Sequence, residues 1–150
     1  MELEGANCDL YAGKKAGKVL ENLLRGAENS IRAYSPFLSP MVADILKRKA
    51  KHMPVEIFTT KATRNNTHRK ALRKLRGPFG FLKPFFLRKG VRVKILPNTF
   101  HAKVFLIDDV VVLGSANLTY SGLRKNFEMV TVCRDWDTVT DVTQYLSDNF

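Results

Sequence analysis

His101-Ala102-Lys103 sets an imidazole and an ammonium two residues apart. Four residues separate Lys103 from Asp108, and Gly114-Ser115-Ala116-Asn117 and Asn126-Phe127-Glu128 follow. In extended chain, residues i and i+2 share a face, so His101 goes with Lys103, Ser115 with Asn117, and Asn126 with Glu128. Three neighbouring strands then bring an imidazole, an ammonium, a hydroxyl, an amide and a carboxylate to one surface. Phosphodiester cleavage needs that set. Histidine attacks phosphorus or protonates a leaving oxygen. Lysine and asparagine donate to non-bridging oxygens as their charge grows. A carboxylate orients the imidazole through its second nitrogen. Gly114 permits close approach of backbone or substrate. The interleaved Ala102, Ala116 and Phe127 are expected on an opposite, packed face.

The elements that position these groups read as an α/β fold, a mixed β-sheet with helices on both faces. Ala16, Val19, Leu20, Leu23, Leu24 and Ala27 recur at helical spacing within Lys14–Glu28. Ser30–Phe37 reads as a strand. Ser39-Pro40 opens a second helix with inward Val42, Ile45, Leu46 and Ala50. Pro54 closes it before the apolar strand Val55–Thr60. Asn65-Asn66-Thr67 caps a basic helix to about Leu75, whose core contacts include Ala71, Leu72 and Leu75. A short helix is expected over Phe81–Lys89, then strands at Val91–Leu96, Phe100–Ile107, Val110–Ser115 and Phe127–Cys133. Asp137 is expected to cap a last helix carrying Val139, Val142, Tyr145 and Leu146, with Trp136 packed near it.

The 150 residues suit a single domain over 1–150. The ending at Phe150, just inside the last helix, is expected of a piece cut from a longer chain. The net charge of +11 is concentrated. Ile57–Ile107 holds 13 Lys/Arg and no acid, while the other 99 residues hold 12 basic and 14 acidic side chains. Such a block points to a polyanion, a nucleic acid or an acidic membrane surface. Arg64, Arg69, Lys70, Arg73, Lys74 and Arg76 form a candidate nucleic-acid rim. Gly77–Phe86 gathers four phenylalanines between basic residues, fitting packing, dimer contact, base stacking or lipid insertion. No apolar run approaches a membrane span, and Met1–Leu20 carries no secretory apolar core. Cys8 and Cys133 lack CxxC spacing. Reduced thiols in a cytoplasmic protein are the expectation, with a single bridge as the alternative.

The run HAKVFLIDDVVVLGSAN resembles the signature of the phospholipase D superfamily: HxK, four residues, Asp, six residues, GSxN. Asn126-Phe127-Glu128 resembles the position of the glutamate that supports the histidine in the family's small nucleases. GAENSIRAYSPF is similar to the start of Nuc-type bacterial endonucleases. Asp108 and Gly114 stand five residues apart instead of six, and the deletion is expected in the turn at Asp108-Asp109. The resemblance implies His101, Lys103, Asp108, Asn117 and Glu128 as catalytic-motif residues, Asp108 with a structural role. Gly114, Ser115 and Asn126 would bind phosphate or support the site. The family's reaction uses two histidines, and this chain has one signature. The resemblance therefore implies a two-fold homodimer, one His101 forming a phosphohistidine and the other protonating the leaving oxygen. No metal or cofactor is expected.

Three functions follow as expectations. The first is a metal-independent nuclease acting on DNA or RNA. The second is a phospholipase of the cardiolipin type at an anionic membrane. The third is a nucleic-acid-binding module within a larger enzyme.

Overall fold

The computed structural model describes residues 6–61, 65–76 and 90–150. The expected Phe81–Lys89 helix, the phenylalanine-rich Gly77–Phe86 segment and Arg64 lie outside them. Among the described residues, seven strands form one mixed sheet in the order β1-β7-β6-β5-β2-β3-β4. They are β1 (Cys8–Gly13), β2 (Ile31–Tyr34), β3 (Val55–Thr60), β4 (Val91–Leu96), β5 (Val104–Ile107), β6 (Val110–Gly114) and β7 (Glu128–Cys133). β2, β3 and β4 run parallel, whereas β5 is antiparallel to β2 and continues into an antiparallel β5-β6-β7-β1 half. The ends of β2, β3 and β6 and the starts of β5 and β7 therefore meet at one end of the sheet.

Helices cover the two faces unequally. α1 (Ala16–Gly26), α2 (Pro40–Lys49), α3 (Asn66–Arg76) and α4 (Tyr120–Arg124) bury Leu20, Leu24, Ile45, Leu46, Leu72 and Leu123 against Ile31, Ile57, Phe105, Val112 and Val130. α5 (Trp136–Asn149) lays Val142 and Leu146 over Tyr34, Leu106, Val111 and Cys133. Full burial of each such side chain contributes about 1.5–3 kcal/mol. The alternation of β2 explains the division: Ala33 belongs to the first core and Tyr34 to the second.

The structure differs from the sequence reading at several points. β1 lies in a segment without a clear pattern, and pairing with β7 makes it a strand. That pairing sets Cys8 opposite Cys133, with Cα atoms 4.3 Å apart, and the two form a disulfide instead of free thiols. β5 begins at Val104 because its partner β2 has four residues and Phe100 N–H turns back to the Pro97 carbonyl. Asp135, not Asp137, caps α5, accepting from Thr138 N–H at 2.9 Å. Trp136 is 76% exposed instead of packed.

α4, five residues long, carries no helical pattern of its own. Gly17 explains how it packs: a Cβ there would lie 2.1 Å from the Gly122 carbonyl oxygen, so only glycine lets α1 approach. Beside this contact the buried Glu21 carboxylate accepts from Arg124 at 2.6 and 2.7 Å and from Arg25 at 2.8 Å. The Arg124 bond, helped by Arg25 and opposed by burial, brings the Glu21 pKa down to about 2.

Candidate active site

His101 and Lys103 lie just before β5. Lys103 Nζ is 3.2 Å from His101 Nδ1 and donates to the His101 carbonyl at 2.8 Å. An ammonium can only donate, so Nδ1 accepts and the proton of a neutral ring sits on Nε2. Burial lowers the Lys103 pKa, and the Glu128 charge partly restores it. His101 is exposed and Lys103 half-buried.

Glu128 opens β7 and is 6% exposed. Ser115 Oγ donates to its Oε2, and Asn126 Nδ2 donates to its Oε1 at 3.1 Å. Ser115 Oγ in turn accepts from Met129 N–H at 3.0 Å. The hydroxyl thus has one donor and one acceptor partner, and its work is to hold the carboxylate. A carboxylate at this position is expected to orient the imidazole directly. In the structure Lys103 occupies His101 Nδ1, and Glu128 acts on the lysine's charge.

Gly114 ends β6 where the backbones crowd: a Cβ there would lie 2.2 Å from the Met129 carbonyl oxygen. It supports the site by letting β6 and β7 close at Ser115. Asn117 lies two residues past Ser115, and its Oδ1 is buried with no partner among the described residues.

Asp108, the motif residue with an expected structural role, lies apart from the other motif side chains. It occupies the two-residue β5–β6 turn, at the end of the hairpin opposite His101. Its carboxylate accepts from Glu28, Asn29 and Ser30 N–H at 3.0, 2.8 and 2.9 Å. Burial raises its pKa, but the three backbone bonds outweigh that and the net shift is downward. Its φ of 53° is left-handed, which aspartate tolerates better than most residues. Asp108 is therefore a clamp on the start of β2, away from His101, Lys103 and Glu128. The turn is two residues long, and the pairing of Val104 with Leu113 keeps Lys103 and Gly114 together at the other end of the hairpin.

Two residues expected on a packed face are elsewhere. Ala116 is buried, but Ala102 is exposed and Phe127 is 74% exposed. The basic rim is also only partly at the site. Arg69, Lys70, Arg73, Lys74 and Arg76 are exposed on α3 while Ala71, Leu72 and Leu75 are buried. α3 starts at the site end and runs back along the sheet, so Arg76 lies ~12 Å farther along the axis than His68. Lys74 is also paired with Asp44 at 2.6 Å. His68, given no role by sequence, is fully buried at the start of α3.

Residues 20–149 match the family model described as cardiolipin synthase, PLD-like domain. The chain belongs to this PLD-like family. The PLD-like chain is 41% identical over 66 residues to cardiolipin synthase A of Pseudomonas fluorescens. That match covers 43% of this chain and 14% of the relative, so the chain corresponds to a small part of it. Among solved structures, NucT from Helicobacter pylori aligns with a TM-score of 0.70 at 19% identity, covering 95% of this chain and 94% of NucT. Nuc from Salmonella typhimurium aligns at 0.68 and 22% identity, covering 95% and 93%. These likenesses establish the PLD and nuclease-like fold of mixed sheet and flanking helices.

Proposed function

We propose that this PLD-like domain is a metal-independent phosphodiesterase that cleaves DNA or RNA through a phosphohistidine on His101, at a site shared by two copies of the chain. The observation that carries this reading is the His101–Lys103 contact, with Glu128 fixed beside it by Ser115 and Asn126. In the resting site Lys103 covers Nδ1. The non-bridging phosphate oxygens, which share the diester's negative charge, compete for the ammonium and draw it away. The exposed ring then gives its Nε2 proton to solvent and takes one back at the vacated Nδ1, and the freed Nε2 lone pair attacks phosphorus. The P–N bond forms as the P–O bond to the leaving nucleotide breaks. His101 of the partner subunit protonates the leaving oxygen. Water, deprotonated by that same histidine, next attacks phosphorus, and the P–N bond breaks to restore Nε2. Lys103 and Asn117 hold the non-bridging oxygens throughout.

The surface, as well as the single His101, favours a second copy. Phe127 and Met129, 74% and 52% exposed, flank Glu128. Ala12 pairs with Met129, and exposed Leu10 extends the strip along β1. α5 leaves this part of the sheet uncovered, and a two-fold contact there would bury it beside the site. The exposed cations of α3 favour a nucleic acid. The identity with cardiolipin synthase A favours a second reading, action on an anionic phospholipid. The Cys8–Cys133 bridge supports an oxidising compartment in place of the cytoplasm.

The test incubates wild type and His101→Ala with single-stranded DNA, duplex DNA, RNA and cardiolipin vesicles, all in EDTA. Nucleic-acid cleavage lost in the variant supports the proposal. Lipid turnover alone supports the second reading, and binding without cleavage supports a binding module. Sedimentation showing only monomer under active conditions contradicts the shared site.

A further inference from the structure

Asn117 is held from behind by a loop that belongs to another part of the chain. Residues 35–39 leave β2 and form a parallel bridge, Leu38 to Leu118. Leu118 N–H donates to Ser35 Oγ at 3.1 Å, and Ser39 N–H donates to the Leu118 carbonyl at 3.0 Å. Both backbone groups of the residue after Asn117 are therefore fixed by this loop.

The loop is anchored in turn. Ser35 Oγ donates to the Phe37 carbonyl at 3.0 Å. Thr59 and Thr60 hydroxyls donate to the Pro36 carbonyl at 3.2 and 2.8 Å. The remaining Leu38 N–H donates to His68 Nδ1 at 3.1 Å. That bond fixes the ring's tautomer, so Nε2–H donates to the Thr60 carbonyl at 3.0 Å. Phe37 meets the ring edge-on, with centroids 5.9 Å apart. Asn65 Oδ1 holds the His68 N–H at 3.0 Å, so the ring is tied to the first turn of α3. Burial keeps the imidazole below its ordinary pKa, only partly offset by the Thr60 bond, so it stays neutral and Nδ1 stays an acceptor.

We infer that His68 is a positioning residue for the phosphodiesterase site, setting Asn117 through the relay His68 Nδ1, Leu38, Leu118. This rests on the proposed reaction, because Asn117 matters only where a phosphoryl oxygen must be held. No other side chain among the described residues bonds Leu38 N–H. Loss of that acceptor would leave a buried donor unpaired in the segment that sets Asn117. A shift of about 1 Å at a group that binds transition-state charge costs up to about 100-fold in rate.

Three variants separate the two ring nitrogens. His68→Asn keeps an acceptor near the Nδ1 position, His68→Gln keeps a group near Nε2, and His68→Leu keeps neither. Hydrolysis of bis(p-nitrophenyl) phosphate in EDTA gives kcat and KM, and amide hydrogen exchange reports Leu38, Leu118 and, as a global reference, Val132. We expect His68→Gln and His68→Leu to lose about 10–100-fold in kcat with KM changed less than about twofold. Exchange at Leu38 and Leu118 should rise in both relative to Val132, and His68→Asn should rescue kcat and protection together. The inference is overturned if Leu38 loses protection while Leu118 and kcat hold. It is also overturned if all three amides lose protection equally, or if Gln rescues and Asn does not. Should the wild type be inert toward every phosphodiester, the functional reading fails, while exchange at Leu118 still decides whether the relay exists. If His68→Leu does not fold, the Asn and Gln pair decides.

Discussion

The two ends of the β5–β6 hairpin use the same kinds of group for opposite purposes. At the turn, the Asp108 carboxylate is consumed by three backbone N–H groups and holds the start of β2. At the open end, the Glu128 carboxylate is held by two side chains, while His101 stays exposed with its ring in contact with Lys103. A carboxylate saturated by backbone donors stabilises the fold and has nothing left for a substrate. One held by side chains beside a lysine sets the charge of a site that water and ligand can reach. Partner type, and not proximity within a motif, separates the two roles.

Changes at the open end should carry the largest kinetic effects. His101→Ala should remove at least ~10³-fold of phosphodiesterase activity while leaving the thermal midpoint near wild type, by melting and rate assays on the same sample. A matching loss of stability would erase the contrast between the ends. Glu128→Gln should cost less, about 10–100-fold in kcat, because the amide keeps the shape but removes the charge beside Lys103. Rescue of that loss at higher pH would instead assign the defect to a proton.

Asp108→Asn should do the reverse. It should lose about 1.5–3 kcal/mol of stability, measured by urea unfolding, with kcat unchanged. Because folding lowers the Asp108 pKa, its stabilisation is complete above about pH 4 and is lost as pH falls through the lower folded value. The gap between wild type and variant should therefore close in acid, and a constant gap would mean a steric cause. The smallest effect belongs to the distant rim. Arg76→Ala should lower the salt slope of DNA binding by about one unit without changing kcat.

Much of this was legible because strand spacing is a strong constraint. His101, Lys103, Ser115 and Glu128 were placed at one end by period-two spacing, and β3 and β4 by their Val/Ile-rich runs. What escaped the sequence depended on distant partners. β1 has no amphipathic signal and exists through β7, so the Cys8–Cys133 pairing could only be left as an alternative. The short α4 rests on Gly17 and on Glu21 with Arg124, residues about a hundred apart. His68 looked like an unassigned histidine in a basic helix because its partners, Leu38 and Thr60, are backbone groups. The Asn65 cap beside it was the available signal that its first turn is pinned.

The central claim is that His101 Nε2 forms a covalent bond to phosphorus. The most direct measurement is to quench single turnovers of a labelled oligonucleotide in EDTA and map the label by mass spectrometry. The account predicts an acid-labile, base-stable phosphoramidate on His101 that forms and decays at rates consistent with turnover and is absent from His101→Ala. Cleavage that proceeds without any labelled His101, or only after a divalent ion is added, would contradict it.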